Sequence, residues 1–547
     1  MIEHAEFGRN VHSAADPLVL GKLYHMGQEE QITVPLSVHS LASHTFITGS
    51  TGAGKSNTVY HLLDELDRQN VNFLVIEPAK GEYKNVFGGR KNISVYGTNV
   101  KKAPLLRLNP FSFPEDTHVL EHIDRLVEIF NACWPMYAAM PAVLKDAVER
   151  VYINCGWSLT DSTNVMNKFP TFADLKEVLP AVVQESNYSA DTQSDYIGAL
   201  VTRVKSLTNG INGQIFCSNN EIPAAKLFDE NVIVDLSRVG SMETKSLLMG
   251  VLVLKLQEHR MASGDMNANL RHVTVMEEAH NLLRRTSDMQ SQESSNLQGK
   301  SVEMIANAIA EMRTYGEGFI IADQAPGLMD PAVIRNTNTK IIMRLPDESD
   351  RELVGKAASL NDDQIVELAK LPLGVAAVYQ NDWLEPVLCK IDHFEDEQEY
   401  TYTAPSKQNV DAIAEMICKY LLSDISKPLE LNDEDVDKLN NWISSLHIDT
   451  DMKKELQELI EHGSPYPSLA QSALYCMTKG RDVITSTEQI LESTVRQAEA
   501  DRRIIEMLHI SNTTAAEVRR QIFAYAAEKV REDAEQYRDL LFYGGVR

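Results

Sequence analysis

Residues 45–56 read Thr-Phe-Ile-Thr-Gly-Ser-Thr-Gly-Ala-Gly-Lys-Ser, a short apolar run that breaks into glycines and ends in a lysine and a serine. Gly49, four residues, Gly54, Lys55 and Ser56 have the spacing of a phosphate-binding loop, the Walker A pattern. The chemistry needs these residue types. Glycines let backbone N–H groups turn inward around a polyphosphate, the lysine reaches the terminal phosphates, and the serine hydroxyl ligates magnesium. Gly49, Ser50, Thr51, Gly52, Ala53, Gly54, Lys55, Ser56 and the adjoining Asn57 are therefore the expected nucleotide-binding set. Phe46 and Ile47 read as a strand end, and Val59, Leu62, Leu63 and Leu66 recur at helical spacing, so the positive end of a helix faces the phosphates.

Working outward from the loop, apolar runs of strand length recur at Asn72–Glu77, Ile93–Tyr96, Asn231–Asp235, Val273–Met276, Phe319–Ala322, Lys340–Arg344 and Val375–Tyr379. Helical patterns lie between them, most clearly over Met242–His259 and Val302–Met312. Apolar strands alternating with helices predict an α/β fold with a mostly parallel sheet covered on both faces. Between Val119 and Phe228 the pattern is helical throughout, an insertion inside the α/β domain. Leu18–Leu23 and Gln31–Val38 are weaker strand candidates that lean on the core. From about residue 401 the strand signal stops and a helical domain follows, its last helix starting with a capping box of Thr514 and Glu517. The expected organisation is thus a short β segment over 1–44, core over 45–118, helical insertion over 119–228, core again over 229–400, and a helical C-terminal domain over 401–547. Residues 284–300 are polar and aperiodic and read as a mobile loop.

At 547 residues the chain is too long for one ordinary domain, and an apolar fraction of 43% supports packed cores. No stretch approaches the roughly 20 apolar residues that span a bilayer, and the first residues lack the parts of a signal peptide. A cytoplasmic protein with no membrane association is expected. Six cysteines without a CxxC pair argue against a zinc site or a disulfide framework. The formal net charge of −26 excludes a protein that grips nucleic acid over its whole surface. A DNA-binding role must then use a local basic surface. The candidates are Lys80, Lys84, Arg90, Lys91, Lys101 and Lys102 in loops after early strands, with Arg284 and Arg285.

Hydrolysis requires more than a phosphate loop: a carboxylate for magnesium and a group that aligns and activates water. The run Val273-Thr-Val-Met-Glu-Glu-Ala-His280 delivers two adjacent carboxylates at a strand end. Glu277 can reach the Ser56 and magnesium side while Glu278 faces the γ-phosphate as the base. The next strand ends in Ala322-Asp323-Gln324, which makes Gln324 either a sensor of the γ-phosphate and lytic water or a solvated strand end. Arg313, Arg335 and Arg344 are candidates for an arginine that completes a neighbouring subunit's site, although a lone arginine more often serves a surface ion pair.

The set Gly49–Ser56, Val75-Ile-Glu-Pro-Ala-Lys-Gly-Glu-Tyr83, Glu277-Glu-Ala-His280, Glu311-Met-Arg-Thr-Tyr-Gly316 and Asp323-Gln-Ala-Pro326 resembles the HerA branch of the HerA and FtsK family of hexameric DNA-translocating ATPases. The resemblance covers about residues 18–395. It implies a RecA-like core, a homohexamer, ATP and Mg2+ at sites between subunits, and DNA threading the central channel. By position it implies that Lys55 and Ser56 bind phosphate and magnesium, Glu278 is the base, Gln324 the sensor, and Arg313 the arginine before the sensor strand. Two departures stand out: only residues 1–44 precede the loop where relatives carry a fuller β-barrel, and the region from about 405 falls outside the match.

Archaeal members of this family work with a NurA nuclease in DNA end resection. Similar bacterial chains are paired with effectors, sirtuin-type NAD hydrolases or nucleases, in anti-phage defence, and the shortened N-terminus favours that reading. A nucleotide-stabilised hexameric scaffold that activates the effector is the competing expectation. A type IV secretion ATPase would share the core but predicts a membrane association that the sequence does not support.

Overall fold

The computed structural model describes residues 5–543 except 12, 138, 165–167, 187, 219–220, 265, 287–296, 397, 403–406, 424–428, 430, 447, 463–466 and 488–492. Most of the polar stretch expected to be a mobile loop therefore lies outside the described residues. The chain divides into two compact units, residues 1–217 with 221–403, and residues 404–547 with 218–220.

In the first unit the strands are β1 (Pro17–His25), β2 (Gln28–Ser37), β3 (Thr45–Thr48), β4 (Asn72–Glu77), β5 (Ile93–Gly97), a two-residue hairpin of β6 (Trp157–Ser158) and β7 (Thr163–Asn164), β8 (Asn231–Asp235), β9 (His272–Glu277), β10 (Glu317–Asp323), β11 (Thr339–Ile342), β12 (Val375–Gln380) and β13 (Val387–Ile391). All but the hairpin join one sheet in the order β2-β1-β13-β12-β11-β3-β10-β9-β4-β8-β5. From β11 to β5 neighbouring strands are parallel, as their continuous apolar runs require. β12, β13, β1 and β2 extend the sheet antiparallel. The two N-terminal strands are thus part of the core sheet, joined through Gly21 opposite Ile391 and Leu23 opposite Cys389. Sequence patterning did not single out β13, the strand they dock on.

Each face of the sheet has its own core. Phe46, Leu74, Ile76 and Val234 pack with the helical segment between β5 and β8, through Val119, Leu126, Phe130, Val148, Phe172 and Phe216. That segment therefore roofs one face of the sheet rather than forming a separate core. On the other face Ile47, Val75 and Val275 pack with Val59, Leu62, Leu63 and Leu66 of α1 (Lys55–Arg68), and with Tyr83 and Phe87 of α2 (Tyr83–Phe87).

Register decides where the chemistry sits. Thr48 lies opposite Asp323, Ala322 opposite Glu277, Ile76 opposite Met276, and Glu77 opposite Asp235. The ends of β3, β10, β9, β4 and β8 therefore form one rim, the crevice beyond the carboxyl ends where open parallel sheets bind ligands. At the opposite rim Glu317, fully buried, accepts from Arg260 Nε at 2.8 Å and Thr274 Oγ1 at 2.7 Å, and shares a hydrogen bond with His272 Nδ1 at 2.9 Å.

The second unit is helical, with a core that includes Ile417, Leu439, Leu456, Leu474, Ile504, Val518 and Ile522. Its last helix, Asn512–Tyr543, starts earlier than the expected capping box. The Thr514 backbone N–H donates to Ser511 Oγ, and the Thr514 hydroxyl donates to Glu415 at 2.6 Å. Ser511, three residues upstream, is the cap, and Thr514 lies inside the first turn. No helix among the described residues is long and apolar enough to cross a membrane.

Candidate active site

The loop 49–54 leaves β3 and turns into α1 through Gly54, which caps the helix with φ 111°. A Cβ there would sit 2.9 Å from the flexible end of Met343, at Cε, and 3.4 Å from Gly374 Cα, so it is the left-handed dihedral that calls for glycine. Lys55, in the first turn of α1, is buried and folded back on the carboxylates, with Nζ 2.9 Å from Glu277 Oε2 and 3.5 Å from Glu278 Oε1. Burial works against its ammonium, but the Glu277 and Glu278 charges outweigh that penalty and raise its pKa.

Glu277 ends β9 and is buried; Glu278 follows it in the left-handed region with φ 46° and ψ 49°. That conformation costs a non-glycine residue on the order of 1–2 kcal/mol, and it turns two consecutive carboxylates into the same cleft. Gln324, just beyond β10, donates through Nε2 to Glu278 Oε1 at 2.8 Å and accepts from the Thr51 hydroxyl at 2.7 Å. The phosphate loop, the sensor candidate and the base candidate are thus one hydrogen-bonded chain. Behind them, Asp323 Oδ2 accepts from the His280 backbone N–H at 2.9 Å and shares a second bond with His280 Nδ1 at 2.9 Å. Asp323 holds the imidazole pKa up, with Glu278 assisting.

The fourth wall is the segment after β4. Glu77 accepts from the backbone N–H groups of Glu82 at 2.6 Å and Tyr83 at 3.2 Å. Burial pushes its carboxyl up to about 7 in spite of those bonds. The Tyr83 hydroxyl donates to Glu277 Oε1 at 2.5 Å. Lys55, Ser56, Glu77, Ala79, Lys80, Glu82, Tyr83, Glu277, Glu278 and Gln324 line one cleft. Ser56 and Glu277 offer hydroxyl and carboxylate oxygens, the donors that Mg2+ prefers, so this donor set fits the ion.

Other sequence candidates lie elsewhere. The Asn57 side chain faces away from the cleft: its Nδ2 donates to the Asp392 carbonyl at 3.0 Å, and its Oδ1 accepts from the Phe394 N–H at 3.0 Å and meets His393 Nδ1 at 2.8 Å. Asn57 therefore anchors the 392–394 segment, and its side chain is spent there. Arg313 lies in a short turn, Met312–Tyr315, before β10, so the seven residues of that strand put it roughly 23 Å from the cleft of its own chain. Arg335, exposed, ends a short helix that precedes β11. Arg344 follows β11 at the cleft rim, where its carbonyl accepts from the Ser50 N–H at 2.9 Å. Lys84 is buried against Asp235 and Arg90 is held by Asp64, Asp67 and Asp396, which removes both from the expected DNA-contact set. Lys80 lies at the nucleotide cleft. Lys91, Lys101, Lys102, Arg284 and Arg285 are exposed.

Sequence reasoning assigned no role to Tyr83, His280 or Asp323. All three lie in motifs singled out above, but Tyr83 and Glu277 are 194 residues apart and only the strand order brings them together.

Comparison with known proteins finds relatives in sequence and in fold. The profile described as "Helicase HerA, central domain" matches residues 18–256. The DNA double-strand break repair helicase HerA of Sulfolobus acidocaldarius is 25% identical over 389 residues, covering 70% of this chain and 71% of that protein. Its namesake from Sulfurisphaera tokodaii is 23% identical over 367 residues, covering 66% and 68%. Over residues 18–256 the chain is similar to the central domain of the HerA helicases. Among solved structures, the chain shares its fold with VirB4 of Thermoanaerobacter pseudethanolicus, at TM-score 0.53 and 19% identity over 70% of this chain and 98% of that one. Plasmid coupling protein TrwB in complex with ADP and Mg2+ gives a TM-score of 0.51 at 12% identity, covering 73% and 100%. Both likenesses bear out the α/β sheet read from the sequence and a RecA-like core.

Proposed function

We propose that this HerA-type chain hydrolyses ATP as one subunit of a homohexameric DNA translocase. The observation that carries this reading is the convergence of Lys55, Glu277, Glu278 and Gln324 in one cleft from three separate strand ends. In the chain alone Lys55 neutralises both glutamates; when a triphosphate enters, its ammonium transfers to the phosphates and releases them. Glu278 then accepts a proton from water held beside it, with Gln324 fixing the carboxylate through Nε2 and sensing the phosphate loop through Thr51. Ser56 and Glu277 would hold Mg2+, whose chemistry there would be to offset phosphate charge. Arg313, remote from its own cleft, supports a site completed by the neighbouring subunit.

DNA in a central channel, and a partner effector in anti-phage defence, either a sirtuin-type NAD hydrolase or a nuclease, complete the proposal. Both draw their support from the resemblance of the motifs. The archaeal relatives are named for double-strand break repair, so a NurA-like nuclease partner in end resection is the competing assignment. Purifying the chain with the product of its neighbouring gene and measuring complex mass with and without ATP tests ring size, nucleotide dependence and partner together. A monomer under all conditions, or ATP turnover unchanged in Glu278→Gln, overturns the reading.

A further inference from the structure

Glu277 has two carboxylate oxygens and two partners. Oε2 meets Lys55 Nζ at 2.9 Å and Oε1 accepts from the Tyr83 hydroxyl at 2.5 Å. These partners differ in mobility. Lys55 is a long flexible chain that must leave for the phosphates under the reading proposed above. Tyr83 is fixed: its ring is 2% exposed and stands edge-on to Tyr60 of α1 at 4.9 Å, and its backbone N–H is held by Glu77. The neighbouring chain is fixed as well. Gly81 runs at φ 71°, where a Cβ would lie 2.8 Å from Ser237 Oγ, and Lys84 is paired with buried Asp235.

We infer that Tyr83 is a positioning residue for the magnesium carboxylate. Because the phenol keeps Oε1, Glu277 does not swing after Lys55, and Oε2 is the oxygen left free in the cleft that Ser56 also lines. A buried hydroxyl on a carboxylate is a strong, charge-assisted hydrogen bond, and partners that orient a metal ligand typically govern about 10- to 100-fold in metal affinity. The inference rests on the ATPase reading, and it gives the Val75–Tyr83 segment a task within that site: Glu77 folds the segment so that Tyr83 reaches across from β4 to β9.

The test uses the full chain, a non-hydrolysable ATP analogue, and Mn2+ followed by electron paramagnetic resonance. Tyr83→Phe keeps the ring and removes the donor. The expected result is Mn2+ affinity about 10-fold weaker, a similar rise in the Mg2+ needed for half-maximal turnover, and metal-free nucleotide affinity unchanged. In a Glu277→Gln background the same substitution should change Mn2+ affinity little, because the oriented carboxylate is already gone. Mn2+ binding by Tyr83→Phe equal to wild type overturns the inference. A Tyr83→Phe chain that melts below the assay temperature also overturns it, since the hydroxyl would then serve the fold. Failure of the wild-type chain to bind Mn2+ with the nucleotide would instead sink the ATPase reading.

Discussion

Gln324 donates a hydrogen bond to Glu278 at 2.8 Å while accepting one from Thr51, so the base candidate is tied to the phosphate loop before any substrate arrives. Glu278→Gln keeps the shape of this chain but removes the proton acceptor. Nucleotide binding should persist while turnover falls about 10²- to 10⁴-fold. Gln324→Ala should cost about 10²-fold in kcat with little change in nucleotide affinity. Single-turnover hydrolysis beside equilibrium nucleotide binding checks both.

Arg313 and the cleft lie at opposite rims of the sheet, so within one chain the guanidinium has no route to its own nucleotide. Arg313→Ala should bind ATP normally and lose roughly 10³-fold or more of its turnover. Mixing it with Lys55→Ala subunits should restore activity at shared interfaces. Absence of rescue would mark Arg313 as structural and turn attention to Arg344, beside the loop.

Glu77 carries a folded-state pKa of about 7 against an ordinary 4.5, chiefly because burial disfavours its charge. A raised carboxyl pKa means the folded state holds its proton where the unfolded state has already released it. Stability from this group is therefore fully present below about pH 4.5, is lost as pH rises towards 7, and is flat beyond. Relative to Glu77→Gln, the wild-type core unit should lose up to about 3 kcal/mol across that window. Urea unfolding at a series of pH values measures it.

The Glu317 cluster at the opposite rim joins β9, β10 and the helix Met242–Ala262. Arg260→Ala leaves Glu317 buried without its guanidinium and should destabilise the core unit by about 3–5 kcal/mol. Thermal melting checks this. The same substitution should not alter nucleotide affinity in the surviving folded protein.

Of the basic residues considered for DNA, Lys101, Lys102, Arg284 and Arg285 are exposed, whereas Lys84 and Arg90 are spent on internal carboxylates. Neutralising the first four should flatten the salt dependence of DNA affinity by about 0.9 log unit per log unit of salt for each phosphate that the protein no longer neutralises. Neutralising Lys84 should lower stability instead. Filter binding across a salt series, with melting curves alongside, separates the two groups.

The parallel strands were legible because each is a continuous apolar run ending in a polar residue, as in Val273–Glu277, and α1 because its buried positions repeat at helical spacing. What sequence could not supply was strand order. Tyr83 on Glu277, Gln324 on Glu278 and Asp323 on His280 all depend on β10 lying between β3 and β9, with β4 next to β9. Asn57 misled because it directly follows Ser56, although its side chain lies on the turn of α1 that faces residues 392–394. β13 escaped notice because Val387–Ile391 is interrupted by Lys390, a tolerable residue where Nζ reaches the Leu373 carbonyl.

Glu278 holds a backbone shape that glycine would adopt at lower cost by about 1 kcal/mol. With Glu278 as the proposed base, folding and turnover pull this codon in opposite directions. Populations propagated for expression or heat tolerance alone would drift towards glycine or asparagine here, and, if Glu278 is the base, the glutamate survives only where turnover is selected. Under the proposed reading, the identity of residue 278 in a sequenced variant records whether its lineage still needed that carboxylate.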